Sequence, residues 1–185
     1  QIQHVDVGGG LGICYTQNDQ APSPHEYAQV LAPFMQERAL ELFIEPGHAI
    51  VGNAGVLLTR VEHIKNTNEK NFALVDAAMN DFIRPSLYEA WHDISAVQAG
   101  ACEEATYDVV GPVCETGDFL GKDRRLSIQE GSLLAVHAVG AYGFTMASNY
   151  NSRVRAAEIL VDKDQAWLIR KRETVDQLFT NEIIP

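Results

Sequence analysis

A thiol and a carboxylate stand side by side in Gly111-Pro112-Val113-Cys114-Glu115-Thr116-Gly117-Asp118, at the end of an apolar stretch. A carboxylate neighbour favours the protonated thiol, which suits a proton donor and not a nucleophile. The plainer alternative for Cys114 is an ordinary small core residue. In Asn80-Asp81-Phe82-Ile83-Arg84-Pro85-Ser86-Leu87-Tyr88, Arg84 and Tyr88 are four apart. On one helical turn a guanidinium and a phenol would face one spot and could clamp a carboxylate. Against that stands a surface arginine over a half-buried tyrosine. Tyr142, in Gly140-Ala141-Tyr142-Gly143-Phe144, is flanked by small residues that would let a planar group approach. A β-bulge with a packed aromatic is the alternative.

The stretch Asp6-Val7-Gly8-Gly9-Gly10-Leu11-Gly12-Ile13 bears on an anion. A dinucleotide fingerprint needs a further glycine where Ile13 stands, and a Walker loop needs a lysine that is absent. What remains is a strand followed by an amide-rich turn, suited to a phosphate monoester, or else a tight turn with no ligand. Glu45-Pro46-Gly47-His48 ends the next strand and would open on the same face if the unit is part of a parallel barrel. The other histidines, His4, His25, His63, His92 and His137, are scattered and read as surface or core.

The elements that must position these groups follow from spacing. His4–Val7 reads as a strand. Ser23-Pro24-His25-Glu26 is a helix start with Ser23 as N-cap and Glu26 closing a capping box. Tyr27, Val30, Leu31, Phe34 and Met35 recur at helical spacing and predict a face laid on a core. Leu42–Ile44 reads as a short buried strand, which completes a βα unit. After Asn53 the texture changes to many short strands: Val56–Ile64, Phe72–Val75, Asp108–Val113, a pair within Ser127–Val139 broken at Glu130-Gly131, and a hairpin over Glu158–Ile169 turning at Asp162-Lys163-Asp164. A last helix is predicted over Thr174–Phe179. The fold class is therefore α/β followed by a β-rich, mainly antiparallel part, divided as residues 1–52 and 53–185.

Composition narrows the partners. Lys+Arg 14 against Asp+Glu 25 gives a net charge of −11, which argues against nucleic acid or an anionic membrane surface. No apolar run approaches the ~20 residues of a membrane span. Cys14, Cys102 and Cys114 are odd in number and lack metal-ligand spacing, so no metal is expected and a reducing cytoplasm fits. A chain opening on Gln1-Ile2-Gln3-His4-Val5 reads as a strand entered in mid-fold, and a fragment is expected.

Five runs taken together, HVDVGGGLG, EPGHAIVGNAG, VDAAMNDFIRPSLYEAWH, VVGPVCETGDFLGKDR and GAYGFTMASNYNSRVRAAEILV, span nearly the whole chain. In this order they resemble the diaminopimelate decarboxylases, in the alanine racemase-like fold group of enzymes dependent on pyridoxal 5'-phosphate (PLP). The resemblance implies the last βα units of a PLP-binding (β/α)8 barrel followed by a β-domain. It implies that the PLP phosphate sits against Gly8, Gly9, Gly10 and the loop Glu45, Pro46, Gly47 and His48, with Tyr142 touching cofactor and substrate. Arg84, Tyr88 and Glu115 would hold the far amino-acid end of meso-diaminopimelate, and Cys114 would donate a proton across a homodimer interface. Such a substrate needs a cation for its far carboxylate and an anion for its far ammonium, and Arg84 and Glu115 are that pair.

Two departures from the family pattern stand out. The family's loop reads Glu-Pro-Gly-Arg, and its arginine helps bind substrate; here the last residue is His48. The lysine that bonds PLP belongs to the first half of the family's barrel. Lys65, Lys70, Lys122, Lys163 and Lys171 lie in none of its contexts, so the chain alone is expected to be inactive. Two other functions compete: a decarboxylase of ornithine, arginine or a carboxylated polyamine, and a non-catalytic relative kept for dimerisation or regulation.

Overall fold

A computed structural model of the chain describes residues 2–16, 18–98 and 102–183. Strand β1 (His4–Asp6) and strand β2 (Glu41–Phe43) pair in parallel, Val5 opposite Leu42, with helix α1 (Pro24–Arg38) crossing between them. The helix begins as the sequence dictates. Glu26 N–H donates to Ser23 Oγ at 3.2 Å and Ser23 N–H donates to the Glu26 carboxylate at 2.8 Å, a reciprocal capping box.

Its apolar face is only partly covered. Met35 is the one buried residue of α1, while Val30 is 76% and Phe34 46% exposed. Strand β2 likewise starts one residue earlier than expected and is not buried, since Phe43 and Ile44 are both nearly half exposed. Parallel strands need cover on both faces, and among the described residues this pair is a two-stranded sheet of its own, with α1, Leu11 and the short helix α2 (Gly47–Val51) gathered beside Leu42.

From Leu57 onward the chain builds one six-stranded sheet from β3 (Leu57–Asn66), β4 (Asn71–Val75), β5 (Ile94–Ala96), β6 (Ala105–Val110), β7 (Phe119–Leu126) and β8 (Leu133–Val136). The spatial order is β5-β8-β3-β4-β6-β7. Only β4 and β6 pair in parallel; every other neighbouring pair is antiparallel. Val61, Ala73, Phe82, Val109, Leu120, Leu134 and Val136 form the middle of its core, each fully buried.

Three expectations shift here. The strand expected at Asp108–Val113 is β6 and stops at Val110, because Gly111 begins the turn that carries Cys114. The segment Ser127–Val139 holds one strand, β8, and not a pair. Its turn at Glu130-Gly131 exists, with Gly131 N–H donating to Val61 O at 2.7 Å, but β8 pairs with β3 and β5. Only Ser127 and Ile128 separate β7 from that turn region, too few for a second strand. Strand β7 itself was not anticipated, because Phe-Leu-Gly-Lys-Asp-Arg-Arg-Leu carries charges at four consecutive positions and masks the alternation.

Helix α3 (Arg84–Tyr88) is a single turn between β4 and β5. At the end of the described chain, β9 (Glu158–Asp162) and β10 (Gln165–Arg170) form the expected hairpin, and helix α4 (Val175–Leu178) follows with Thr174 as its cap. Arg153 ties this part to the sheet, donating from Nε to Asn80 Oδ1 at 2.8 Å and from Nη2 to Asp76 O at 2.6 Å. Among the described residues no helix is long and apolar enough to cross a membrane.

Candidate active site

Two loops from the parallel unit meet at the first half of the site. Gly8 and Gly10 sit at φ 68° and 87°, the left-handed region that a side chain resists, and the chain bends there sharply after β1. Glu45 N–H donates to Gly8 O at 2.8 Å, which binds the glycine turn to the loop after β2. The Gly8 amide is taken by Asp6 Oδ1 at 2.8 Å. The amides of Gly9 and Gly10 donate to nothing among the described residues, and open space lies where Cβ atoms at Gly8, Gly10 and Gly47 would stand. An oxyanion with several acceptor oxygens fits that arrangement.

The second half centres on Arg84. Its position at the start of α3 sends the guanidinium toward the loop after the glycines. There Nη1 donates to the Tyr15 hydroxyl at 2.9 Å and to His92 Nε2 at 3.3 Å. Tyr15 OH is in turn 3.0 Å from His48 Nε2. Having accepted from Arg84, the phenol has one proton to give, and His48 Nε2 is the acceptor within reach. Burial, and next the Arg84 charge, lower the His48 pKa, so its ring is neutral at neutral pH. The Nε and Nη2 atoms of Arg84 make no hydrogen bond among the described residues.

Tyr142 closes one side. Its ring lies 5.5 Å from the His48 ring, edge to face, and the Arg84 Cζ is 5.5 Å from its centroid. The residue has φ 63°, an uncommon conformation for a tyrosine. The backbone just before it is locked: Gly140 N–H donates to Gly52 O at 3.0 Å. This approach is why glycine is required at 140, since a Cβ there would overlap the Val51 carbonyl oxygen.

Arg84, His48 and Tyr142, which come from three separate sequence runs, are thus brought into one cluster. Tyr88 is not bonded to it: the single turn of α3 forms, but Tyr88 is 61% exposed and its hydroxyl has no hydrogen bond among the described residues. Cys114 and Glu115 stand together in the exposed loop after β6. Glu115 accepts from Tyr150 OH at 3.4 Å, and Asn151 Nδ2 donates to Cys114 Sγ at 3.7 Å. Neither touches Arg84, His48 or Tyr142 by a hydrogen bond or ion pair. Two of the lysines are engaged elsewhere, Lys70 with Asp108 at 2.9 Å and Lys122 over the Phe119 ring.

Two members of the cluster escaped the sequence reading. Tyr15 follows the glycine stretch without any motif to mark it. His92, read as a core or surface residue, is fully buried and is bound to Arg84. Its sequence signal is its place as the last residue of the run VDAAMNDFIRPSLYEAWH, eight residues after Arg84.

A family model described as "Pyridoxal-dependent decarboxylase, C-terminal sheet domain" matches residues 13–140. The curated diaminopimelate decarboxylase of Vibrio cholerae is 56% identical over 184 residues, covering 99% of this chain and 44% of the relative. That of Pseudomonas fluorescens is 54% identical over 181 residues, with 98% and 43% covered. Among solved structures, the diaminopimelate decarboxylase of M. jannaschii in complex with L-lysine superposes with a TM-score of 0.94 at 39% identity, over 100% of this chain and 44% of that one. The chain spans less than half the length of the curated relatives it matches.

Proposed function

Since this chain belongs to the pyridoxal-dependent decarboxylases and is a C-terminal portion of one, we propose that the whole protein removes CO2 from meso-2,6-diaminopimelate to leave L-lysine, the last step of lysine biosynthesis. The observation that carries the substrate assignment is Arg84. Its guanidinium is gripped at Nη1 while the Nε–Nη2 edge stays open, in a chain 56% identical to a diaminopimelate decarboxylase. An open fork of two parallel N–H donors is the geometry that takes a carboxylate in a bidentate manner. Decarboxylases of simple diamines' precursors have no second carboxylate to hold.

PLP, when bound, supplies the sink for the electron pair left behind as CO2 departs. The chain's own residues do the rest. The free amides of Gly9 and Gly10, with Gly8 and the loop Glu45, Pro46, Gly47 and His48, hold the phosphate. Tyr142 lies against cofactor and substrate. Arg84 holds the far carboxylate, the exposed phenol of Tyr88, one turn away and not bonded to the Arg84 cluster, reaches the same group once substrate is bound, and Glu115 receives the far ammonium. His48, in place of the family's arginine, contributes a neutral acceptor and no charge. Cys114 gives its proton to the carbon that has lost CO2, and the Asn151 amide at its sulfur stabilises the thiolate that remains.

Residues 1–52 are the end of a (β/α)8 barrel in this reading, supported by the parallel β1–α1–β2 crossover, and residues 53–185 are the β-domain. Cys114 and Glu115 serve the site of a partner subunit in a homodimer, which is supported by their exposure and by the lack of any bond to the Arg84 cluster of their own chain. Three unpaired thiols support a reducing cytoplasmic setting.

Turnover of the full-length protein on meso-diaminopimelate, ornithine, arginine and a carboxylated polyamine tests the assignment. Diaminopimelate is expected to have the highest kcat/KM. Equal or better turnover of ornithine or arginine would overturn it.

A further inference from the structure

Nη1 of Arg84 has two protons, and both are engaged: one by the Tyr15 hydroxyl at 2.9 Å, the other by His92 Nε2 at 3.3 Å. The His92 ring cannot swivel away. Its Nδ1 lies 3.0 Å from the His137 carbonyl oxygen, and since a carbonyl only accepts, Nδ1 carries the proton and Nε2 the lone pair. The ring is fully buried and wedged edge-on between Phe82, at 4.6 Å and 82°, and Tyr15, at 5.0 Å and 83°. Tyr15 is pinned from the other side, because its own N–H and that of Thr16 both donate to Asp19 Oδ2 at 2.7 Å.

We infer that His92, with Tyr15 beside it, is a positioning residue that consumes the Nη1 protons of Arg84 and thereby turns its Nε–Nη2 edge to the substrate's distal carboxylate. Without the two acceptors the guanidinium could rotate about its last bonds and present any edge, and a side-on fork would be one orientation among several. A neutral ring is required, since a protonated His92 would set an N–H against the guanidinium. Burial provides it, aided by the positive charges of Arg84 and Arg124 nearby. The same network ties the substrate arginine to the segment that leaves the glycine turn, so the two halves of the site are mechanically joined through Tyr15.

This inference rests on the decarboxylase reading above, and its test separates the two. The full-length protein loaded with PLP is prepared as wild type, H92N, H92Q and Y15F. The binding of L-lysine, which keeps a carboxylate, is compared with that of cadaverine, which has none. Asn keeps a donor for the His137 carbonyl but loses the acceptor for Arg84, whereas Gln restores an acceptor near the Nε2 position. H92N and Y15F are expected to weaken L-lysine and raise KM for diaminopimelate by about tenfold or more, with kcat and cadaverine affinity close to wild type. H92Q should recover most of the loss. Equal weakening of L-lysine and cadaverine, no change in either, or an H92Q no better than H92N overturns the positioning role. A wild type that binds L-lysine no better than cadaverine overturns the substrate reading instead, and the inference with it. Should H92N fail to fold, Y15F alone decides, because its ring stays in place and only the hydroxyl is lost.

Discussion

Asp118 closes the loop that carries Cys114 and Glu115, and its replacement has a magnitude that can be worked from the contacts. The carboxylate is 5% exposed. Oδ1 accepts from Met79 N–H and Oδ2 from Val113 N–H, both at 2.7 Å. Gly111 lies so close that any side chain there would strike the carboxylate. In D118A both amides lose their partner, and each buried unsatisfied N–H costs about 1–3 kcal/mol. The sum is about 2–6 kcal/mol, and the cost of burying the carboxylate, which raises its pKa, offsets part of it. A loss of about 3 kcal/mol is expected, a fall in Tm of roughly 6–12 °C for a chain of this size. D118N has the same shape but only one acceptor, and its amide group would face an N–H. It should therefore lie near D118A and well below wild type. Thermal and urea unfolding of the three proteins reads both losses. A D118N as stable as wild type would refute the claim that two accepting oxygens hold this loop.

The remaining predictions concern the site. His92 has its pKa lowered from 6.5 to about 4, chiefly by burial, so its contribution is complete above pH 6.5 and is lost as pH falls toward 4; H92Q should flatten about 3 kcal/mol of that acid dependence in unfolding measurements. G140A places a methyl against the Val51 carbonyl and should destabilise by about 1–3 kcal/mol while displacing Tyr142; an unchanged melting curve would mean that the two segments separate freely. R84M in the full-length protein should cut kcat/KM for diaminopimelate by about 100-fold or more, most of it through KM, as expected for losing a charge-assisted bidentate pair. C114A should lower kcat and leave the absorbance of bound PLP unchanged; loss of the cofactor instead would assign Cys114 a different role.

Local signals were read well where one residue sets the geometry. The capping box at Ser23 and Glu26, the turn at Lys163-Asp164 and the single helical turn from Arg84 each need only neighbours in the chain, and each is found. Strands were harder. The pattern placed β3 and β4 but not β7, a strand that buries its own Leu120 and Leu126 while carrying four consecutive charges between them. Pairing was not legible at all: β8 stands between β3 and β5, both distant in sequence, and nothing local to Leu133–Val136 chooses those partners.

The residue types at the site came from sequence alone, because a thiol next to a carboxylate, an arginine on a short helix and a run of glycines carry their chemistry wherever they are folded. The same is true of the family resemblance, since composition and order survive without coordinates. What tertiary structure decided is which groups act together. Arg84 on α3, His48 on α2 and Tyr142 in the turn after β8 converge, and the turn is held there because the Gly140 amide binds the Gly52 carbonyl just past α2. Tyr88, four residues from Arg84, stays outside. Tyr15 and His92 enter although no motif gives them a role, for a physical reason: a hydrogen-bond partner is chosen by distance in space, and the separations of 69 and 8 residues to Arg84 leave no periodic trace in the chain.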